Sequence, residues 1–279
     1  MTATEFHWTT PDGITIFAKN FPCQAPKAVV ILVHGLGEHC LRYEHVAAYF
    51  QKKSIAMLVF DRRGHGQSTG KRGHTPNVNT LLDEIGHMVS EARTHHPGVP
   101  LILYGHSMGG NLVLDYTLKR HPNISGVIST APWIQLAFQP PAILVAIAKV
   151  MRWLFPAFIQ RNNLKTAHLS RNKAVVEAYE KDPLVHDFIS AAAAAGMLET
   201  AAWLNTYSGH FPIPLLLMHG GADQITDPKA SEAFTKRVKG NITWRLWDGL
   251  YHEIHNEPEK DAVLKVMADW VEKVVDGGR

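Results

Sequence analysis

Short runs of β-branched or apolar residues alternate with helical patterns along most of the chain, and this alternation limits the folds open to it. Each run is bounded by turn-forming residues. The runs cover 28–33, 55–60, 101–104, 126–130, 215–218 and 242–247. Continuous runs of this length are typical of strands that are covered on both faces. The pattern predicts an α/β protein with a mostly parallel, doubly wound central sheet.

Helical segments separate these runs, and one interval breaks the rhythm. The helical patterns cover 42–51, 78–95, 108–120, 228–239 and 259–275. Residues 5–21 predict an edge hairpin with its turn at Pro11-Asp12-Gly13. Residues 132–211 contain helix-forming sequence but no clear strand. We therefore expect a core of residues 1–131 and 212–279, with residues 132–211 forming a helical cap inserted between two strands.

The charge pattern excludes some classes of partner. The chain has 28 Lys and Arg against 25 Asp and Glu, without a long basic block, so nucleic acid is not an implied partner. The longest apolar stretch, 141–155, is shorter than the ~20 residues of a membrane span. The N-terminal residues lack the pattern of a secretory signal, and Cys23 and Cys40 form no disulfide framework. A cytoplasmic location is expected.

A serine lies between glycines directly after the third apolar run, in the segment YGHSMGGN, residues 104–111. The pattern G-x-S-x-G between a strand and a helix forms a nucleophile elbow, whose tight turn needs glycine two residues before and after the serine. Gly105 and Gly109 satisfy both positions. The alternatives are a packing turn and a phosphate loop, although the missing lysine argues against the latter. Ser107 is the candidate nucleophile, with the N–H of Met108 as one oxyanion donor.

The remaining catalytic groups have candidates in the chain order that such a fold requires. The turn HGLGEH after the first run offers the N–H of Leu36 as a second oxyanion donor. After residues 215–218, HGGADQITD offers Asp223 as the acid, whereas Asp227 resembles a helix N-cap. After residues 242–247, His252 and His255 share one loop, and only one of them can be the base.

The seventeen histidines raise the question of a metal site. The segment HEIH, residues 252–255, resembles a zinc motif but is one residue shorter than H-E-x-x-H. We therefore expect neither a metal nor an organic cofactor.

Several longer segments together carry a family resemblance. These are HGLGEHCLRY, DRRGHGQS, SRNK, YEKDPLV and YHEIH, which occur in this order over nearly the whole chain. With the elbow and the acid loop, the chain resembles the monoacylglycerol lipases of the α/β-hydrolase superfamily, of the serine aminopeptidase S33 type. The resemblance implies the α/β-hydrolase fold and hydrolysis of monoacylglycerols to fatty acid and glycerol. Where Leu36 stands, the family more often has alanine.

The resemblance also implies roles for individual residues. It makes Ser107 the nucleophile, Asp223 the acid and His252 the base, with Leu36 and Met108 as oxyanion donors. Glu38, Arg42, His106, Tyr179 and His255 match family positions around the glycerol end of the substrate.

Two other activities share these motifs. A lysophospholipase or a general carboxylesterase uses the same triad and differs in its pocket. A non-catalytic ligand receptor on the same fold is a further alternative, although such proteins usually lose a triad member and this chain has all three.

The apolar stretch 141–155 also has two interpretations. It is either a helix buried within the cap, or a helix whose surplus apolar face lines the acyl entrance and contacts a membrane surface.

Overall fold

The computed structural model describes residues 2–139 and 142–277. The strands are β1 (Thr4–Thr9), β2 (Thr15–Phe21), β3 (Ala28–Val33), β4 (Ile55–Phe60), β5 (Leu101–His106), β6 (Gly126–Thr130), β7 (Ile159–Arg161), β8 (Phe188–Ser190), β9 (Leu215–Gly220) and β10 (Ile242–Trp247). The helices are α1 (Glu44–Gln51), α2 (Val78–His95), α3 (Met108–Arg120), α4 (Ala142–Leu154), α5 (Lys173–Lys181), α6 (Ala191–Thr206), α7 (Pro228–Arg237) and α8 (Lys260–Asp276).

Eight strands form the central sheet, in the order β1-β2-β4-β3-β5-β6-β9-β10. Strand β2 pairs antiparallel with both β1 and β4, and the remaining neighbours pair in parallel. This topology confirms the predicted α/β class with a mostly parallel sheet and an N-terminal hairpin at one edge. It is the α/β-hydrolase fold.

The sheet is covered on both faces, which explains the continuous apolar runs. In β3, Val29, Ile31 and Val33 pack into one core together with residues of α2 and α3. The intervening Val30 and Leu32 pack into a second core with residues of α1 and α8. A strand with two buried faces needs apolar side chains at every position, so the usual alternation is missing.

The segment between β6 and β9 differs from its prediction in one respect. Besides α4, α5 and α6, it contains an antiparallel pair, β7 with β8. The expectation of no strand in residues 132–211 was therefore wrong. Each of these strands has only three residues, which is too short for a periodic pattern to be visible in the sequence.

The apolar stretch 141–155 forms most of α4, although Pro141 itself lies outside the described residues. Helix α4 packs against α6 and leaves large apolar side chains in solvent, including Ile143 at 67% exposure and Trp153 at 78%. Among the helices that the structure describes, none is long and apolar enough to cross a membrane.

Candidate active site

Ser107 lies at the turn from β5 into α3 and has a strained backbone. Its φ of 56° and ψ of −117° are sparsely populated for a residue that carries a Cβ atom. Its N–H donates to the carbonyl of Thr130 at 2.9 Å, and its carbonyl accepts from the N–H of Trp133 at 3.0 Å. These bonds hold the turn in place, so the hydroxyl is presented at the carboxyl end of the sheet.

The glycines of the elbow are required by close backbone contacts. A Cβ atom on Gly109 would lie 1.9 Å from the carbonyl oxygen of Val33. A Cβ atom on Gly105 would lie 2.2 Å from the carbonyl oxygen of Gly109. Any side chain at either position would force α3 away from β3 and β5, and the turn at Ser107 would open.

The loop after β3 also lies close to Ser107. A Cβ atom on Gly35 would lie 3.4 Å from Ser107 Cβ, and the Gly35 N–H donates to Glu38 Oε1 at 2.6 Å. Leu36 follows in this loop and lines the same cavity as Ser107. Met108 is the first residue of α3, so its N–H has no carbonyl partner within the helix. Of the two predicted oxyanion donors, Leu36 thus lies in the loop after β3 and Met108 at the start of α3.

Asp223 and His252 meet at the ends of the next two strands. Asp223 follows β9, His252 follows β10, and Nδ1 of His252 lies 2.7 Å from Asp223 Oδ2. Burial alone would raise the pKa of Asp223, but attraction to His252 and hydrogen bonds from two histidines hold it well below the ordinary value. Burial alone would lower the pKa of His252, but the adjacent Asp223 carboxylate raises it. His252 lines the cavity beside Ser107.

Asp223 has further partners that the sequence reasoning missed. His219 Nε2 lies 3.0 Å from Asp223 Oδ2, and Thr226 Oγ1 donates to the same oxygen at 2.9 Å. On its other side, His219 Nδ1 lies 2.8 Å from the hydroxyl of Ser231. His219 ends the apolar part of β9 four residues before Asp223, and this position was the only sequence signal for its role. These contacts fix the carboxylate that faces His252.

Two other aspartates, Asp227 and Asp61, have structural roles. Asp227 accepts a hydrogen bond from the N–H of Lys229 at 2.9 Å and is the N-cap of α7. Asp61 accepts from the N–H groups of Cys40 and Gln67, both at 2.7 Å, and pins the loop after β4.

Three charged side chains form what we name the Arg42 ion cluster: Arg42, Glu38 and Glu253. Arg42 Nη1 donates to Glu38 Oε2 at 2.6 Å and to Glu253 Oε1 at 2.7 Å, and Nη2 donates to Glu253 Oε2 at 2.8 Å. The guanidinium also lies 4.7 Å from the centre of the Tyr179 ring. Sequence reasoning missed Glu253, although it directly follows His252.

The five residues predicted to bind glycerol divide into two groups. Glu38, His106 and Tyr179 line the cavity. Arg42 and His255 are not among the described residues that line it, and both lie one layer behind its wall. The ring of His255 stacks on Tyr43 with 4.6 Å between centroids, and burial lowers its pKa to about 3. The structure therefore brings three of the five to the substrate space and two to the support behind it.

The cavity in front of Ser107 has a volume of about 870 Å³. Its polar wall contains Ser107, His252, Glu38 and Glu253. Its apolar wall is formed largely by side chains of residues 132–211 and includes Trp133, Leu136, Phe138, Val145, Leu164, Leu169, Ile189 and Leu198. A space with a nucleophile, a polar wall and a long apolar wall fits an ester of a fatty acid.

Comparison with known proteins gives the same family. Residues 24–259 match the family model described as serine aminopeptidase, S33. A monoacylglycerol lipase of Mycolicibacterium smegmatis is 34% identical, with 90% of each chain covered. The crystal structure of a monoacylglycerol lipase from Paleococcus ferrophilus superposes with a TM-score of 0.86 at 32% identity, covering 93% of this chain and 99% of that one.

A longer relative matches over the whole chain. An uncharacterized abhydrolase domain-containing protein of Dictyostelium discoideum is 37% identical over 100% of this chain, which spans 30% of that protein's length. These matches confirm the family resemblance seen in the sequence motifs. The chain therefore belongs to the serine aminopeptidase S33 family, and it is a serine hydrolase with the α/β-hydrolase fold and with monoacylglycerol lipases among its relatives.

Proposed function

We propose that the protein hydrolyses monoacylglycerols to fatty acid and glycerol through an acyl-enzyme on Ser107. The observation that carries the proposal is the hydrogen-bonded pair of Asp223 and His252, which lines the same cavity as Ser107. This cavity has one polar wall and one long apolar wall. The apolar wall suits the acyl chain, and the polar wall suits a small alcohol with free hydroxyl groups. No cofactor is required for this chemistry.

In the acylation step, His252 takes the hydroxyl proton of Ser107 as the Ser107 oxygen attacks the ester carbonyl. The N–H groups of Leu36 and Met108 stabilise the negative oxygen that develops. Asp223 holds His252 with Nδ1 protonated, so that Nε2 is free to act as the base. The same proton then passes from His252 to the departing glycerol oxygen.

In the second step, water replaces glycerol in the polar part of the cavity. His252 removes a proton from this water as it attacks the acyl-enzyme, and the fatty acid leaves when the Ser107 oxygen takes the proton back. Glu38 and Tyr179 line this part of the cavity, and we assign them to contacts with the hydroxyl groups of glycerol.

We also propose that residues 132–211 form a cap that delivers lipid to the site. The exposed apolar side chains concentrate in 138–158 and include Phe138, Ile143, Ile147, Val150, Trp153, Leu154, Phe155 and Phe158. Phe138 and Val145 also line the cavity, so the exposed face and the acyl space share one segment. A contact of this face with a membrane surface supplies substrate without a membrane span. A cytoplasmic location stays a prediction.

A panel of four esters tests the proposed substrate. Turnover of monolauroylglycerol, dilauroylglycerol, lauroyl-lysophosphatidylcholine and p-nitrophenyl butyrate is measured under identical conditions. Monoacylglycerol hydrolysis is expected to have the highest kcat/KM of the three lipid esters. Preference for the lysophospholipid would instead indicate a lysophospholipase, and activity on the p-nitrophenyl ester alone would indicate a general esterase. Absence of turnover and of fluorophosphonate labelling at Ser107 would indicate a receptor.

A further inference from the structure

We infer that the polar wall of the cavity selects substrates by charge. It accepts ester alcohols that are neutral or cationic and rejects alcohols that carry a phosphate, and Glu253 determines this selection. The inference rests on the proposed function, because it concerns the alcohol part of an ester that is cleaved at Ser107.

Arg42 would be the natural phosphate receptor near the site, but both of its terminal nitrogens already donate to carboxylates. Its terminal nitrogens donate to both carboxylates of the Arg42 ion cluster, with the two Glu253 oxygens at 2.7 and 2.8 Å. The face of the guanidinium lies against the ring of Tyr179. A bidentate contact to phosphate uses the same fork of N–H groups that Glu253 already fills. To bind a phosphate with these two nitrogens, Arg42 would have to lose its hydrogen bonds to Glu253.

The ion cluster carries more negative than positive charge. Two carboxylates face one guanidinium, and attraction to Arg42 outweighs burial and lowers the pKa of Glu253 to about 2. Two neighbouring histidines, His106 and His255, add no positive charge to offset this excess of negative charge. Burial lowers the pKa of His106 well below its ordinary value and that of His255 to about 3, so both rings are neutral at pH 7. Within the cluster, the carboxylates therefore outnumber the guanidinium by one.

Other cations near the cavity are poorly placed to bind a phosphate at this wall. Arg62 is buried and is not among the described residues that line the cavity; its Nη2 donates to the carbonyl of Gly35 at 2.6 Å. Arg161 and Lys165 line the cavity but are exposed to solvent, and Arg161 is paired with Asp187. Exposed charges are screened by water and salt far more than buried ones.

The two carboxylates of the cluster lie close to the nucleophile. A single Cβ atom on Gly35 would contact both Ser107 Cβ, at 3.4 Å, and Glu38 Oε1, at 2.7 Å. Glu253 directly follows His252 and lines the same cavity. A phosphate on the departing alcohol would be brought beside these two buried carboxylates, where like charges repel more strongly than in bulk water. A cationic alcohol would be attracted instead.

Three lauroyl esters that differ in the charge of the alcohol test the inference. They are monolauroylglycerol, lauroylcholine and 1-lauroylglycerol 3-phosphate, each measured as kcat/KM below its critical micelle concentration. Choline and glycerol are similar in size but differ both in charge and in free hydroxyl groups, so the effect of charge is taken from the change of each ratio in the Glu253 variant. For the wild type, we expect kcat/KM of the phosphate ester to be at least ~10-fold lower than that of monolauroylglycerol, and lower than that of lauroylcholine.

The decisive variant is Glu253→Gln, which removes one charge and keeps the side-chain shape. The ratio of phosphate ester to glycerol ester is expected to rise by about 10-fold, and the ratio of choline ester to glycerol ester is expected to fall. Because all three esters use the same His252, any general effect on the base cancels in these ratios. Glu177→Gln is the matched control: it removes an exposed carboxylate of α5 that pairs with Lys181 and is not among the residues lining the cavity. Its ratios are expected to equal those of the wild type.

Melting temperature and fluorophosphonate labelling of Ser107 establish that Glu253→Gln is folded with an active nucleophile. Equal kcat/KM of the wild type for the phosphate and glycerol esters would overturn the inference, as would unchanged ratios in a folded Glu253→Gln. If the wild type cleaves lauroylcholine but not monolauroylglycerol, the proposed function fails. The contrast between choline and phosphate esters still tests the charge selection in that case.

Discussion

Asp223 Oδ2 lies 2.7 Å from Nδ1 of His252, and the pair is buried where the loops after β9 and β10 meet. Replacing Asp223 with Asn keeps an acceptor for the N–H groups of Ile225 and Thr226 but can direct an amide N–H toward His252. The imidazole would then take the wrong tautomer for a base. We expect kcat/KM for p-nitrophenyl butyrate to fall by about 10⁴-fold in Asp223→Asn.

Asp227→Asn is the matched control for this change, because it alters an aspartate four residues away that caps α7. Asn caps helices about as well as Asp, so the free energy of unfolding is expected to change by less than about 1 kcal/mol, with activity retained. A larger loss of activity in Asp227→Asn than in Asp223→Asn would show that the other carboxylate is the acid.

Ser107→Ala tests the nucleophile. Alanine keeps the Cβ atom that the elbow accommodates at φ 56°, so the fold and melting temperature should be unchanged. Loss of the hydroxyl removes the covalent step, and kcat/KM should fall at least ~10⁴-fold for every ester. Labelling by a fluorophosphonate should also disappear. Turnover close to that of the wild type would contradict the assignment.

The pH dependence follows from the charge state of His252, which must be neutral to accept the Ser107 proton. Although burial lowers its pKa, Asp223 and then Glu253 and Glu38 raise it above the ordinary value. Activity should therefore fall, as the pH decreases, at a higher pH than an unperturbed histidine with a pKa of about 6.5 would give. The acidic limb should move to lower pH in Glu253→Gln, because a charge that favours the imidazolium is lost.

This profile is measured as kcat/KM for p-nitrophenyl butyrate, an ester without a titrating headgroup. Glu177→Gln is again the control, since it removes a distant exposed carboxylate. An acidic limb that stays in place in Glu253→Gln would show that Glu253 exerts no electrostatic effect on the base.

The strands that are buried on both faces were predictable from the sequence. The runs 28–33, 55–60 and 126–130 match the buried strands β3, β4 and β6 residue for residue. The run 242–247 also matches β10, although this edge strand has no fully buried residue. Strands β5 and β9 run two residues further than predicted, to His106 and Gly220, because pairing with a neighbouring strand continues into the turn. Apolarity marks the core of a strand, whereas hydrogen bonding sets its end.

The order of the candidate site residues along the chain was predictable from the sequence. Which of them line the cavity and which lie behind its wall was not. The motifs indicate that Arg42 and His255 lie near the substrate, yet they cannot tell which side of the wall each occupies. That depends on how Glu253 and Tyr43 pack around them. His219 was missed for the same reason, because its partner Ser231 lies twelve residues further on and is brought to it by α7.

The exposed face of α4 provides the last prediction. Ile147 is 48% exposed in the middle of this helix, on a segment that also lines the cavity. In Ile147→Asp, a charge replaces an apolar side chain that is proposed to enter the lipid interface, at a cost of a few kcal/mol for burying that charge. Hydrolysis of long-chain monoacylglycerol in vesicles is therefore expected to fall several-fold. A soluble short-chain ester reaches Ser107 without the interface, so its hydrolysis should be unaffected.

Leu246→Asp is the matched control for that experiment. Leu246 is 40% exposed on β10, outside residues 132–211, so its replacement introduces the same charge at a similarly exposed apolar position away from α4. Vesicle binding measured by flotation should decrease in Ile147→Asp and stay constant in Leu246→Asp. If Ile147→Asp loses activity on both substrates and its melting temperature falls, the side chain serves only the packing of the cap. The proposal that α4 contacts a membrane would then be wrong, because the introduced charge would have acted on the fold and not on the lipid interface.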